Sequence, residues 1–385
     1  MILYALCLKL RCINLQRAGY TCINSKMDDI RYLTHAVRLA QQQLGQTGQN
    51  PTVAAILANE KGLISYGVHP GAGQPHAEII AFQRAKQKDL SSATLYVTLE
   101  PCSHTGRTPP CTRAIIQSGV ARVVLGHIDP NPQVAGQGVA ALKAAGIECL
   151  IAPLPDIIEL YRTYRHHHQH HQLWVDLKIA HTQDHLLAGP QGKPLSITGP
   201  DTNLWTQLQR AQHEALLTSS ATLRADNPAF NARLHGQHIK KPLFVITQFA
   251  DLPLTLKCFE TTASITLLHS KQAPQARLNQ LRQHGIQCYC IPHPWGKAYW
   301  SSVFEYIYQL GFRTLWCELG AHGLSSCLAL GLAHRVYRLI SSHCAQHGLH
   351  FSIDDLAPHY IQSHLVQSFN DDQLWVHERS PIADL

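Results

Sequence analysis

Apolar residues recur at helical spacing at Leu33, Val37, Ala40 and Leu44, which predicts an amphipathic helix with Asp28-Asp29 as its N-cap and as negative charge at the positive end of its dipole. Gly45 to Gly48 end it. Val53 to Leu57 is a short apolar run suited to a buried strand, Asn59-Glu60-Lys61-Gly62 a turn, and Leu63 to Gly67 the returning strand of a hairpin. A helical pattern follows over Ile79, Ile80, Ala81 and Phe82, then a β-branched and aromatic strand from Thr94 to Leu99. Past Cys111 the pattern predicts a helix through Ile115 and Ile116, a strand over Arg122 to Gly126, a helix over Val139 to Ala145 and a strand over Ile147 to Ile151. Strands alternating with helices make this half a mixed α/β sandwich. A second set of strand patterns begins at Leu173–Ala180 and continues at 215–218, 243–247, 264–268, 314–318 and 336–340, with helices in the gaps.

At 385 residues the chain exceeds one usual domain. The expected division is a leader over 1–26, a first domain over 27–152, a linker over 153–172 and a second domain over 173–385. The leader has a short apolar start but no basic residue before it, and the other methionine of the chain is Met27, so a start-site artefact or disordered tail is expected, not a signal peptide. The linker combines Pro153, Pro155, a short helix from Asp156 to about Tyr164 and the run His166-His167-His168-Gln169-His170-His171. Such a run can bind metal, but without a fixed scaffold it reads first as a solvated segment.

A hydrophobic share of 45% supports real cores, and no apolar stretch approaches the length of a membrane span. The formal charge of +7 draws four positive charges from Lys9, Arg11, Arg17 and Lys26, leaving +3 for the rest. No basic and aromatic stripe accompanies it, so charge makes no case for nucleic acid. Twelve cysteines in a chain this long are not a small-scaffold disulfide pattern, and a reducing cytoplasm is expected.

Candidate chemistry concentrates between His76 and Cys111. His76-Ala77-Glu78 opens a predicted helix, Cys102 follows the strand at Glu100-Pro101, and Cys111 sits where prolines end one element and a helix begins. One imidazole and two thiolates leave a tetrahedral zinc one open position, as in catalytic sites. A water there would have its pKa lowered, and Glu78, close but not needed as a ligand, is the natural proton shuttle. The set is a variant of the zinc-deaminase signature, with eight residues between the cysteines instead of two. Against it stands chance convergence in a chain with twenty-six histidines and twelve cysteines.

Pro75-His76-Ala77-Glu78 and the longer Leu99 to Cys111 segment resemble the bifunctional riboflavin-biosynthesis deaminase/reductase family, and the likeness runs from Tyr32 to about Ala152. It implies a cytidine deaminase-like three-layer domain followed by a dihydrofolate reductase-like α/β domain. It also implies that Asn50, His69, His104, Arg107, Asp129 and Asn131 face a phosphorylated pyrimidine. In the second half, more faintly, Arg210 to Pro228 carries the likeness. There the resemblance implies NADPH contacts at Thr222, Asp226 and the turn through Gly320 and Gly323, and substrate contacts at Arg210, Phe230, Arg233 and Glu318. The implied activity is zinc-dependent deamination of a phosphoribosylamino-pyrimidine and NADPH-dependent reduction of its ribosyl group. A cytoplasmic homo-oligomer is expected, with no nucleic-acid or membrane partner.

Several positions depart from the family. Its Ser-Leu-Asp-Gly-Arg is Thr182-Gln183-Asp184-His185-Leu186 here, its Gln-Trp-Ile-Thr is Leu195-Ser196-Ile197-Thr198, His322 interrupts the phosphate turn, and the loop at Asn50 lacks the family's glycine. These departures predict NADPH binding with slowed reduction, and keep open a second reading in which an active deaminase carries a catalytically poor reductase-like partner. A nucleic-acid deaminase and a zinc-stabilised binding module are less well supported, the first for want of a basic face, the second because the shuttle glutamate is kept.

Overall fold

The computed structural model describes residues 27–86, 89–105, 109–193, 195–352, 356, 359–360 and 362–379. The expected leader and the candidate Arg107 lie outside them. Contacts divide the chain into two units between His171 and Gln172, each with its own sheet. No helix among the described residues is long and apolar enough to cross a membrane.

In the first unit, α1 (Met27–Gln41), β1 (Ala54–Asn59), β2 (Gly62–Val68), α2 (Ala77–Ala85), β3 (Thr94–Val97), α3 (Cys111–Ser118), β4 (Arg122–Leu125), α4 (Gln137–Ala144), β5 (Glu148–Ile151), α5 (Pro155–Leu160) and α6 (Arg162–His170) follow in order. The sheet order is β2-β1-β3-β4-β5, antiparallel about β1 and parallel from β3 onward. Both faces are covered, and period-two alternation sorts the side chains. Leu57, Leu95, Val97, Val123 and Leu125 pack with α2, α3 and α4, while Ile56, Tyr96, Val124 and Leu150 pack with α1 and α5. This is the three-layer arrangement expected.

Two local expectations need correction. Asp29 is not a cap. It lies buried in the first turn of α1, where its carboxylate accepts both Arg122 guanidinium nitrogens at 2.8 Å and the Tyr96 hydroxyl at 3.1 Å. A paired, fully hydrogen-bonded site makes burial of this charge tolerable. The histidine run is not a solvated linker either: it forms most of α6, with His166 buried. The cause lies just upstream, where the hydroxyl of buried Tyr161 donates to the Thr52 carbonyl at 2.9 Å and is hydrogen-bonded to the Thr98 hydroxyl at 2.6 Å, fastening this part of the chain to its unit.

The second unit contains β6 (Trp174–His181), β7 (Leu186–Ala188), α7 (Pro200–Gln212), β8 (Ala215–Ser219), α8 (Ser220–Asp226), β9 (Ala232–Leu234), β10 (Gln237–Ile239), β11 (Pro242–Thr247), α9 (Cys258–Thr261), β12 (Ser264–His269), α10 (Gln275–Gln283) and β13 (Gln287–Cys290). It continues with α11 (Lys297–Gln309), β14 (Thr314–Glu318), α12 (Ala321–Ala329), β15 (Arg335–Ser341), β16 (Leu349–His350), β17 (Gln362–Phe369) and β18 (Asp372–Glu378). The main sheet runs β13-β12-β11-β8-β14-β6-β15-β18-β17, parallel as far as β15 and antiparallel through the last hairpin. Each of the six expected strands is present, with ends within one residue or two. Sequence patterning misses β13, β17 and β18 of this sheet and the short strands β7, β9, β10 and β16 outside it. Strand β17 is the sheet edge and is solvent-exposed almost throughout, so Gln362 to Phe369 has no buried face to impose alternation.

All six tryptophans lie at or beyond Trp174, so their fluorescence reads this unit alone. His377, on β18, is 6% exposed. Burial, with Arg338 and His364 adding positive charge, depresses its pKa to about 4. The unfolded chain therefore binds a proton near pH 6.5 that the folded chain refuses, so this stability is complete above that pH and is lost as pH falls toward 4. The expected loss at pH 5.5 is roughly 1 kcal/mol. Urea unfolding followed by tryptophan fluorescence at pH 7.5 and 5.5 checks this: His377→Gln should shrink the difference by roughly 1 kcal/mol, leaving the share of buried His181, whose pKa burial also lowers, and an unchanged pH slope would refute the assignment.

Candidate active site

Three segments meet at the first site. His76 is the N-cap of α2 and Cys111 the first residue of α3, while Cys102 lies in the loop after β3. The start of α2 is pressed so closely onto β2 that a Cβ at Gly67 would lie 2.1 Å from the Ala77 carbonyl oxygen. Glycine is required there to let the ligand-bearing turn approach. Cys111 N–H donates to Cys102 Sγ at 3.3 Å, and Thr112 N–H to the Cys102 carbonyl at 3.1 Å, fastening the two cysteine segments together.

The donor atoms of His76, Cys102 and Cys111 all lie within 4.8 Å of one another. His76 Nδ1 is 3.2 Å from Cys111 Sγ and 3.6 Å from Cys102 Sγ. A tetrahedral zinc with its usual bond lengths gives an N···S edge of about 3.6 Å, so both the donor types and the spacing suit zinc. The hydrogen bond from Cys111, together with His76, lowers the Cys102 thiol, whereas the same contact and burial raise Cys111. Contact with Cys102 raises His76. Glu78, 3% exposed, is raised by burial, and a perturbed carboxyl in a cleft marks a candidate for proton transfer.

A cleft of about 650 Å³ opens on this cluster and is lined by Asn50, His69, His76, Glu78, Cys102, His104 and Asp129, among others. Asn131 is not part of the lining; its carboxamide oxygen accepts Gln133 N–H and its own N–H donates to Asp129 Oδ1, so it shapes the turn. His69, expected to face substrate, uses both nitrogens within the protein: Nδ1 is 3.1 Å from the Pro75 carbonyl and Nε2 is 3.2 Å from Asn50 Nδ2. That pairing makes Asn50 the donor and turns its carboxamide oxygen free for other partners. Burial lowers the His69 pKa, keeping the ring neutral for this role. His104 is exposed at the rim.

Sequence reasoning missed Glu100 and Tyr164. Buried Glu100 accepts the N–H groups of Asp129, Gly136 and Val139 at 3.1, 2.9 and 3.0 Å, so it holds the loop that carries Asp129. Its place beside Pro101-Cys102 was the available signal. Tyr164 lines the cleft from α6 and hydrogen-bonds Asp129, while burial raises both groups. It belongs to a segment expected to be linker, and nothing local marked it.

In the second unit, Glu318 at the end of β14 takes Arg210 Nε at 2.6 Å and Nη2 at 2.9 Å, Trp316 Nε1 at 2.9 Å, and lies 3.6 Å from Lys178 Nζ. Burial alone would raise its pKa, but Arg210 and Lys178 more than offset it and hold it at about 2. Phe230, expected against substrate, is 1% exposed; its ring belongs to the core, 5.0 Å beneath the Arg210 guanidinium. Arg233 is exposed, with Nη1 3.4 Å from Asn231 Oδ1. Thr222 lies in the first turn of α8 and Asp226 is its exposed last residue. A Cβ at Gly320, the N-cap of α12, would reach Thr222 Oγ1 at 3.2 Å and Ser219 Oγ at 3.5 Å. Two helix starts thus frame a hydroxyl-lined cradle that a side chain would fill, a fit for phosphate. Gly323 is buried against Leu319 inside α12, and the ring of exposed His322 stacks on Trp295, centroids 4.9 Å apart.

Fold and site define a deaminase-type zinc-binding domain joined to a reductase domain. A family model of the cytidine and deoxycytidylate deaminase zinc-binding region matches residues 26–127, and one of the RibD C-terminal domain matches 173–342. Riboflavin biosynthesis protein RibD of Aquifex aeolicus is 32% identical over 88% of this chain and 93% of its own; that of Escherichia coli is 41% identical over 54% and 56%. Among solved structures, a deaminase/reductase from Thermotoga maritima superposes with a TM-score of 0.78 at 28% identity, covering 91% of this chain and 99% of its own. Acinetobacter baumannii RibD gives 0.76 at 29% over the same shares. The chain belongs to the RibD family of riboflavin biosynthesis proteins, with the cytidine deaminase-like and dihydrofolate reductase-like domains expected of it.

Removing the carboxylate in Glu100→Ala would leave three backbone donors without their acceptor, at about 1–3 kcal/mol each for those that stay buried. Calorimetry should show the first unit melting several degrees lower with the tryptophan-reported transition unmoved. An unshifted first transition would show that Glu100 does not hold this loop.

Proposed function

We propose that the first unit hydrolyses the exocyclic amine of a phosphoribosylamino-pyrimidine and that the second reduces the ribosyl group of the product with NADPH, consecutive reactions of riboflavin biosynthesis. The convergence of His76, Cys102 and Cys111, with His76, Cys102 and buried Glu78 lining one cleft, carries the reading. Those three residues would hold zinc, which when bound supplies a water made acidic enough to react near neutral pH. Glu78 takes a proton as the water adds to the amine-bearing carbon and returns it so that the amine leaves as ammonia and a carbonyl remains. Asn50, its amide committed to His69, offers an acceptor to the ring's N–H groups, Asp129 in the same cleft is held by Glu100 and Tyr164, and His104 with Arg107 takes the phosphate end by family resemblance.

In the second unit Thr222, Ser219 and the start of α12 would hold the phosphates of NADPH, which when bound supplies the hydride. Arg210 and Lys178, fixed on Glu318, place positive charge beside it for a phosphorylated substrate. Because similarity to deaminase/reductase fusions runs through both units, an inert second unit is not the favoured reading. A homo-oligomer in the cytoplasm, acting on small molecules without nucleic acid or membrane, completes the proposal on family resemblance.

Metal analysis and assay test it together. Native protein should carry one zinc per chain, Cys102→Ser should lose it, and Glu78→Gln should keep it while deamination falls about 10²–10⁴-fold. Full zinc content in Cys102→Ser would overturn the ligand set. NADPH oxidation should follow on addition of the deaminated product; cofactor binding without turnover would restore the inert second unit.

A further inference from the structure

Beside the cofactor cradle of the second unit stands an aromatic stack that neither proposed reaction uses. Trp295, between β13 and α11, is 41% exposed and lies on His322 in the first turn of α12, centroids 4.9 Å apart and planes 26° from parallel. The indole is held from behind: buried Tyr299 and Trp300 of α11 meet it with centroids 4.8 and 5.3 Å away, and Trp300 Nε1 donates to Ser326 Oγ at 2.9 Å, tying α11 to α12. Gly296, next in the chain, turns it into α11 at φ +143°, a backbone region open to glycine. His322 is exposed, and among the described residues its ring has no hydrogen bond and no ring contact other than Trp295.

The stack lies where the far end of a dinucleotide would arrive. In an open parallel sheet, ligands lie outside the carboxyl ends of the strands, and the cradle of Ser219, Thr222 and Gly320 sits past the ends of β8 and β14. It also joins the two faces of the sheet, because α8 packs Leu223 into the core of one face and α12 packs Leu324 into the core of the other. The proposed reacting end belongs to the first face, where Trp316, bonded to Glu318, and Phe230, under Arg210, are buried. Trp300, behind the stack, belongs to the second. A dinucleotide with its phosphates in the cradle and its nicotinamide at Glu318 therefore sends its adenosine over the sheet edge toward Trp295 and His322.

We infer that Trp295 and His322 seat the adenine ring of the cofactor, the imidazole lying on the indole and offering its outer face to the purine; the inference rests on the NADPH reading of the cradle. Stacking on a preplaced ring suits a flat base whose faces are poorly solvated. The support behind Trp295 means that little side-chain freedom is lost when the base arrives. His322, which departs from the family pattern of this turn, thereby adds a cofactor contact two residues beyond the glycine that admits the phosphates.

The test is titration of the full chain with NADPH and, separately, with adenosine 2′,5′-bisphosphate, which carries the adenine but no nicotinamide; quenching of tryptophan fluorescence reports the first and displacement of NADPH the second. His322→Ala, at an exposed position, should weaken both ligands by the same factor, about tenfold, whereas His322→Phe, which keeps a stacking ring, should hold both within about threefold of the native chain. Trp295→Phe should keep NADPH affinity and shrink the quenching, and urea unfolding checks that it folds. Unchanged NADPH affinity in His322→Ala, weakening of NADPH alone, or equal loss in the Ala and Phe variants would overturn the inference. A native chain that binds neither ligand would overturn the cradle reading and this inference with it.

Discussion

Three donor atoms from three chain segments can stand within 4.8 Å of each other only if the segments are held from behind, and the first unit is built around that requirement. Helix α2 must begin almost in contact with β2, which Gly67 permits; α3 must begin at Cys111, which its backbone bond to Cys102 Sγ fixes. The sheet beneath is buried on both faces, so neither helix can slide without opening a core. A rigid scaffold costs ordering entropy once, in folding, and leaves little to spend when metal or substrate arrives.

Much of this was legible. Ile79 to Phe82, Thr94 to Leu99 and Arg122 to Gly126 announce their elements because each has a buried face that imposes a period on the residue choice, and the spacing of His76, Glu78, Cys102 and Cys111 announces the chemistry because few residue types can perform it. What stayed hidden has no period and no rare residue. Glu100 satisfies three N–H groups contributed by residues 29 to 39 positions away, and Tyr164 enters the cleft from a helix whose histidines suggest solvent. Asp29 looked like a cap because caps and buried ion pairs draw on the same residue; only the position of Arg122 distinguishes them. Phe230 differs from expectation for the converse reason, since adjacency in sequence to candidate substrate residues does not separate a ring that lines a cleft from one that packs beneath the Arg210 guanidinium.

The second unit shows how departures from a motif can leave the framework intact. Where the family has glycine, His185 keeps the left-handed turn, and Asp184 still gathers the N–H groups that close the loop. The carboxylate of Glu318, strongly ionised between Arg210 and Lys178, likewise survives.

The long reach of Tyr161 has a consequence for the order in which the first unit can assemble during synthesis. Its hydroxyl bridges to Thr52 and Thr98, up to 109 positions earlier, and Tyr164 joins the cleft wall only three residues later. A nascent chain ending at Ala152 would already contain every proposed metal ligand, yet its cleft would lack one wall and its sheet one fastening. Every proposed metal ligand thus precedes in the chain the segment that supplies Tyr161 and Tyr164 to the cleft and its sheet.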